Sequence, residues 1–285
     1  MSWAAHELET YVLRKHTTAK VSWLGIIFGA WVSDMFTKLP VYGWKIGSFS
    51  LKASVPYKYH RGWPGVGFTH SLSFGLIVAS VVLVLARNRA WFVGIIIGQA
   101  SHVFTDLGDS VGTMVFFPGT TQRYTVGTWA YAAQQGRYGD AAAYYSSLGG
   151  AWDLLWVLIV LAGWKVLSRR FFLDHVRPAD PAWDWMARRF GVTQRGQLAL
   201  YRAFFIYGAS RALSWTLWAR LRNPRRGQET LDLTWGGPDW VNKVPRANEA
   251  WTMVLRNTAV GAAVFTVLVL LAWRLVVRRY WLRAT

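Results

Sequence analysis

The sequence contains no cysteine. This absence excludes disulfide bonds, thiolate zinc sites and cysteine nucleophiles together. A metal ion bound by this chain would therefore have to be held by histidine, carboxylate and water.

Acidic residues are also scarce. The chain has 14 Asp and Glu against 32 Lys and Arg, which gives a net charge of +18 and a pI near 10.6. The basic residues do not form one stripe, because they flank apolar runs, as in Arg87-Asn88-Arg89, Arg169-Arg170 and Arg278-Arg279. This placement favours the cytoplasmic ends of membrane spans and anionic lipid over a nucleic-acid partner.

Long apolar runs are abundant in this sequence, in which 53% of the residues are hydrophobic and 19 are Trp. Roughly 18–20 apolar residues suffice to cross a bilayer core of about 30 Å. Four runs are good candidates and two are weaker; the good ones are residues 68–86, 90–105, 150–167 and 258–277, the weaker ones 21–33 and 198–219. We predict an all-α, multi-pass helical membrane protein with about five or six membrane-embedded helices.

The basic loops predict an orientation. Arg87 and Arg89 place the loop between the first two strong runs in the cytoplasm. His70, which opens the first run, and His102 and Asp106, which close the second, should then meet at the non-cytoplasmic surface. The long segment 107–149 holds only two basic residues, Arg123 and Arg137, as expected of an outside loop.

Ionisable residues concentrate between positions 60 and 109, although such groups cost several kcal/mol in lipid unless they pair, bind an ion or line a wet cavity. His102 and Asp106 are four apart, so they share a helix face. This is a metal-ligand spacing, although an internal hydrogen bond or a proton-relay pair would also explain it. His60, Arg61, His70 and Asp109 are close enough to join the cluster.

Several polar residues have two interpretations. Asp109 faces the cluster if the helix continues, but it becomes a cap or loop residue if Gly108 ends that helix. Arg61 could bind an anion such as phosphate or lie in the lipid interface. Asp153 is expected to pair with Arg202 or Arg211 rather than to act in catalysis; His16 and His175 are expected to be structural.

The N-terminal region predicts a helical hairpin. An amphipathic segment over residues 3–16 is followed by a turn and by the apolar run 21–33. Two antiparallel helices of this length, about 20 Å, are too short to span comfortably. The hairpin would place His6 beside Asp34, whereas His6 on a loose tail would be a surface residue.

The segments HRG at 60–62, THS at 69–71 and SHVFTD at 101–106, with Gly112 and Phe117-Pro118, resemble a known family. They are similar to the bacterial inner-membrane metal-dependent hydrolases of the YdjM-like type, which are distantly similar to zinc-dependent phospholipase C. The resemblance covers roughly residues 3–120 and places the chain in the bacterial inner membrane.

By position, the resemblance implies six metal ligands, which are His6, Asp34, His60, His70, His102 and Asp106. The chain departs from the family pattern at Phe36 and Thr37, which replace an acidic residue and a histidine. It also inserts WPGVGF before THS, and Asp109 stands where the family has threonine.

The resemblance and the ligand set together predict a metal-dependent hydrolase that uses a divalent ion, zinc above all. The expected substrate is a phosphoester such as a lipid head group at the non-cytoplasmic surface, so membrane lipids are the expected partners. Asp34 or Asp109 would accept a proton from water, and Arg61 would neutralise phosphoryl oxygens. The alternatives are an ion- or proton-coupled carrier and a catalytically inactive scaffold.

Two regions are predicted along the chain. Residues 1–175 would form the membrane-embedded hydrolase-like domain, and residues 176–285 a C-terminal helical membrane region of unknown role. The boundary is placed near residue 175 because the polar run RPADPAWDW interrupts the helical pattern.

Overall fold

A computed structural model describes residues 4–17, 20–42, 44–51, 68–109, 111–129, 141 and 144–221, together with residues 267, 271, 274 and 275. Its main helices are α1 (Ala5–Lys15), α2 (Trp23–Tyr42), α3 (Leu72–Ala86), α4 (Arg89–Asp106), α5 (Leu148–Ala162), α6 (Pro181–Phe190) and α7 (Gln194–Leu221). Two short antiparallel strands, β1 (Trp44–Ile46) and β2 (Phe49–Leu51), form a hairpin after α2. The predicted helical fold class is confirmed.

Shorter helical turns complete the described structure. A 3₁₀ turn at Phe68–His70 precedes α3, and a second at Trp164–Leu167 follows α5. Between that turn and α6 the chain forms one α-helical turn (Arg169–Phe171), one π-helical turn (Phe172–Val176) and one 3₁₀ turn (Arg177–Ala179).

Side-chain caps explain where several helices begin. Ser71 accepts a hydrogen bond from the Phe74 amide at the start of α3, and Asn88 accepts one from the Trp91 amide at the start of α4. Such caps satisfy amides that have no partner within the helix. A distant residue does the same for α2, because the Asp180 carboxylate accepts from the Ser22 hydroxyl and from the Leu24 amide at 3.4 Å.

The predicted runs correspond to helices, with changed boundaries. The run 68–86 becomes a 3₁₀ turn and the 15-residue α3, and the run 150–167 is interrupted after Ala162 by Gly163. The predicted run 21–33 is too short, because α2 is 20 residues long and ends at Tyr42. The run 198–219 lies within the 28-residue α7, whereas the run 258–277 lies largely outside the described residues.

Membrane crossing was expected of several of these helices. Within the described ranges, no helix combines the length and the apolar character that a membrane span requires.

Helices α2 and α4 are in close contact along a seam of glycines. A Cβ added to Gly29 would lie 2.2 Å from the Ile95 carbonyl oxygen, and one added to Gly98 would lie 2.0 Å from that of Ile26. Small residues let helix backbones approach in this way. Because Gly29 meets Ile95 and Ala30 meets Gly98, the two helices run parallel and their C-terminal ends lie on the same side.

Helix α1 packs antiparallel to α4 and is also held by helix α7. Leu8 and Tyr11 are fully buried in the larger apolar core, and the Tyr11 hydroxyl donates to the Tyr201 carbonyl at 2.6 Å. Helix α7 lies beyond the predicted boundary at residue 175, yet it packs directly on α1 and α5.

The glycine seam generates a prediction about stability. Replacing an ordinary helical glycine by alanine stabilises a helix by about 1 kcal/mol. Gly98→Ala should instead destabilise the protein by about 1–3 kcal/mol, because the added methyl collides with the α2 backbone. The measurement is the thermal unfolding temperature of the purified protein in detergent.

Gly163→Ala is the matched control, because its added Cβ would come no closer than 3.3 Å to the Ile159 carbonyl. A Gly98→Ala protein that unfolds at the wild-type temperature or above would contradict the close packing of α2 and α4.

Candidate metal centre

Four helical segments bring five ionisable side chains together, at or near the ends of all of these segments except α2. They are His6 of α1, Asp34 of α2, His70 of the turn before α3, and His102 and Asp106 of α4. His70, His102 and Asp106 are completely buried, while Asp34 is 8% exposed. Arg87 and Arg89 lie at the opposite end of α3 and α4, as the antiparallel connection predicts.

The Asp106 carboxylate is the centre of the group. Its Oδ1 lies 3.5 Å from His6 Nε2, and its Oδ2 lies 3.5 Å from both His70 Nε2 and His102 Nε2. His70 Nε2 is also 3.7 Å from Asp34 Oδ1. One carboxylate therefore faces three imidazoles, and a second carboxylate borders one of them.

The spacing of these atoms is suitable for a metal ion. Two sets, His6 with His102 and Asp106, and Asp34 with His70 and His102, each place three ligand atoms within 4.8 Å of one another. Two ligands bound tetrahedrally to zinc at about 2.0–2.1 Å lie about 3.3 Å apart. The observed 3.5 Å separations are close to that value, so these residues can hold a divalent cation.

A hydrogen bond on the ring nitrogen that faces away from Asp106 sets the orientation of His102. Its Nδ1 lies 2.6 Å from the Ala30 carbonyl oxygen on α2, and that oxygen can only accept a hydrogen bond. Nδ1 is therefore the donor, and Nε2 is the ring nitrogen that faces Asp106. Metal-binding histidines usually have such a partner on the other ring nitrogen. His6 stacks on His102 with ring centroids 4.0 Å apart.

The turn that carries His70 is fixed by a buried polar network. The Gln99 amide nitrogen donates to the Thr69 carbonyl at 2.9 Å and to the Ser71 carbonyl at 3.1 Å. Ser33 of α2 donates to Gln99 Oε1 at 2.9 Å and also to the Thr69 carbonyl. Helices α2 and α4 thus hold the backbone on both sides of His70.

Asp109 lies in the loop after α4 and does not join the convergent group. Its Oδ1 accepts hydrogen bonds from the Val111 and Gly112 amides, each at 2.9 Å. Gly112 has a φ of +70°, and a Cβ there would collide with the Tyr124 carbonyl. These contacts favour the loop interpretation of Asp109 over a ligand role.

His60 and Arg61 lie outside the described residues. Asp153 acts electrostatically on Arg211, one of its two expected partners. Arg211 also pairs directly with Glu7, and Arg202 donates to the Leu167 carbonyl at 2.8 Å.

Asp153 also holds the start of α1. Its Oδ2 accepts from the Ala4 amide at 2.8 Å and its Oδ1 from the Ala5 amide at 3.1 Å. The hydroxyls of Tyr144 and Tyr145 donate to the same carboxylate at 3.1 and 2.8 Å. A residue of α5 thus caps the helix that carries His6, which a local sequence pattern could not reveal.

Glu9 is a buried acidic residue that the sequence analysis missed. Its two oxygens accept from the hydroxyls of Ser101 and Thr105 on α4, at 2.5 and 2.6 Å. Burial raises the pKa of Glu9 above its ordinary value, against the lowering effect of His6 and the two hydroxyls. The available signal was its spacing, because Glu9 follows His6 by three positions and shares its helix face.

No curated protein and no solved structure matches this chain. The model of the family described as YdjM inner membrane protein matches residues 5–172, more than half of the 285-residue chain. The matched segment contains all five convergent side chains, and it ends before α6 and α7. The chain therefore belongs to the YdjM inner membrane protein family.

Proposed function

We propose that this inner-membrane protein is a metal-dependent hydrolase whose centre is built from His6, His70, His102, Asp106 and Asp34. The observation that carries the proposal is the convergence of three imidazole Nε2 atoms on the Asp106 carboxylate at 3.5 Å. The buried position of these groups makes the arrangement costly unless a positive charge lies among them.

A cation explains the arrangement better than hydrogen bonds alone. His102 Nδ1 donates a hydrogen bond to the Ala30 carbonyl, so a neutral His102 would direct its Nε2 lone pair at carboxylate oxygens. A divalent ion at this position would be attracted to His102 Nε2 and to Asp106 at once. Imidazole and carboxylate ligands without thiolate suit zinc and similar divalent ions.

Such an ion would supply Lewis acidity and would raise the acidity of water. The side chains of this chain would supply the rest. Asp34 is the least buried of the five groups and lies beside His70, so it is placed to accept a proton from water. Asp109 is the weaker base, because its Oδ1 already accepts two backbone amides.

The proposed substrate is a phosphoester at the membrane surface, such as a lipid head group. Membership of an inner-membrane family supports it, as do apolar side chains exposed on the outer faces of α3 and α5, including Leu76, Ile77 and Leu158. Arg61 remains the proposed partner for phosphoryl oxygens. A carrier would place ionisable groups near the bilayer midplane. Four of the groups lie at or beside helix ends, which favours the enzyme, whereas Asp34 lies in the interior of α2; the four are His6, His70, His102 and Asp106.

The first test concerns metal content. Purified wild-type protein should contain zinc or a similar divalent ion by elemental analysis. His102→Ala and Asp106→Ala should sharply lower its occupancy, because each removes a group that faces the others at 3.5 Å. His175→Ala, which changes an exposed histidine outside the cluster, is the control and should keep the wild-type content. Undiminished metal in both site variants would remove the proposal.

The second test concerns catalysis. His70→Ala and Asp106→Ala should abolish turnover of a phospholipid-like ester while leaving membrane insertion intact, since apolar helices rather than these residues drive insertion. Loss of the proton acceptor in Asp34→Asn should slow turnover by about 10²–10⁴-fold. Wild-type protein that holds metal but turns over no ester or amide in a broad panel would favour the scaffold.

The third test concerns orientation. We propose that the site end faces away from the cytoplasm, because the basic loops at Arg87 and Arg169 hold the other end inside. The chain lacks cysteine, so a single introduced cysteine is the only thiol that the reagent can label, and it shows on which side of the membrane that position lies. In intact cells an impermeant thiol reagent should label Gln122→Cys, an exposed position after α4. Arg189→Cys, exposed on α6, should react only after permeabilisation. The opposite pattern would invert the proposed orientation.

A further inference from the structure

Glu9 connects α1 to α4 directly beside the candidate metal centre. The carboxylate is 2% exposed and accepts from the Ser101 and Thr105 hydroxyls through separate oxygens. Ser101 and Thr105 are four apart and lie on one face of α4. Glu9 therefore spans one full turn of that helix.

The two donors are adjacent to candidate ligands. Ser101 precedes His102, and Thr105 precedes Asp106. On the other side of the contact, Glu9 follows His6 by three positions, so the same face of α1 carries both. His6 stacks on His102 and reaches Asp106 at this point of contact.

The other anchors of α1 lead elsewhere. Asp153 of α5 holds its first amides, while Arg211 and Tyr201 of α7 contact Glu7 and Tyr11. On α2, the Trp23 indole also donates to the Thr10 hydroxyl at 3.2 Å. These contacts keep α1 within the fold, but none of them is made to α4. Glu9 contacts α4 itself, at the residues that precede His102 and Asp106.

We infer that Glu9 is a positioning residue for the part of the metal centre formed by His6, His102 and Asp106. This inference rests on the proposed metal-binding function. Metal ligands must be held to within about 0.5 Å of their working geometry. Hydrogen bonds to a carboxylate are stronger than neutral ones, so two of them can fix the distance between the helices.

Glu9 acts through His6 rather than as a ligand. Among the described residues, Glu9 belongs to neither of the two sets whose ligand atoms converge. Both of its oxygens face hydroxyl donors of α4. Removing Glu9 should therefore weaken metal binding in a protein that has His6, because His6 then loses its position. It should have no further effect in a protein that lacks His6.

The experiment is a double-mutant cycle on zinc affinity, measured by competition with a chromophoric chelator on the purified full-length protein in detergent. Glu9→Ala should lower the affinity by about 10–100-fold, as loss of a supporting residue does at metal sites. Glu9→Gln should stay near wild type, because its amide can accept from one hydroxyl and donate to the other. The double variant His6→Ala/Glu9→Ala should bind zinc no more weakly than His6→Ala alone.

Two further variants separate positioning from folding. Thr10→Val alters a buried neighbour whose hydroxyl donates to the Glu7 carbonyl and accepts from the Trp23 indole of α2. It removes contacts of α1 that do not reach α4, so it should keep the wild-type affinity. Should Glu9→Ala fail to fold, the pair Ser101→Ala/Thr105→Val removes the same contacts from α4 and should show the same loss.

The outcomes are distinct. Wild-type protein that binds no divalent ion would overturn the proposed function and this inference together. If the wild-type protein binds zinc, two results would overturn the role of Glu9 alone. Either Glu9→Ala binds zinc as tightly as wild type, or its loss of affinity adds to that of His6→Ala in the double variant.

Discussion

The close approach of α2 and α4 determines how the candidate centre is built. Glycines at 29, 94 and 98 leave no room for side chains between the two backbones. At this separation the Ala30 carbonyl of α2 accepts a hydrogen bond from Nδ1 of His102 on α4. The same contact lets Ser33 and Gln99 hold the turn that carries His70. A packing constraint between backbones thus becomes a constraint on the orientation of two imidazoles.

Buried acidic groups provide the second level of organisation, and each uses a different kind of partner. Asp153 accepts backbone amides and tyrosine hydroxyls, Glu7 pairs with Arg211, and Glu9 accepts two hydroxyls. Burying a carboxylate is costly unless its oxygens are satisfied, so these contacts specify which helices can be neighbours. All three involve α1, the helix that presents His6. Asp106 differs in facing imidazoles rather than ordinary donors, which is why it identifies the centre.

Sequence reasoning predicted the contacts that depend on local spacing or on connection. The four-residue interval between His102 and Asp106 places them together on any helix, and the antiparallel link between two apolar runs brings His70 to the same end. It missed the contacts formed between distant segments. Asp153 lies 149 positions from the amide of Ala4 that it holds, and no pattern near either residue signals this. The end of α2 was also misplaced, because the polar residues after Ser33 were read as a boundary although they continue the helix.

The centre therefore has two parts that depend on different amounts of the chain. His70, His102 and Asp106 lie within 37 consecutive positions, 70–106, and are held by α2 and α4 through contacts inside the family-matched segment. His6 is attached more remotely, because α1 needs α5 at its start and α7 along its side. Helix α7 lies outside the matched segment, so residues beyond the family pattern support α1 and with it the position of His6. The C-terminal region thus has a physical link to the site through α1, and Glu9 is the point at which that link reaches the ligands on α4.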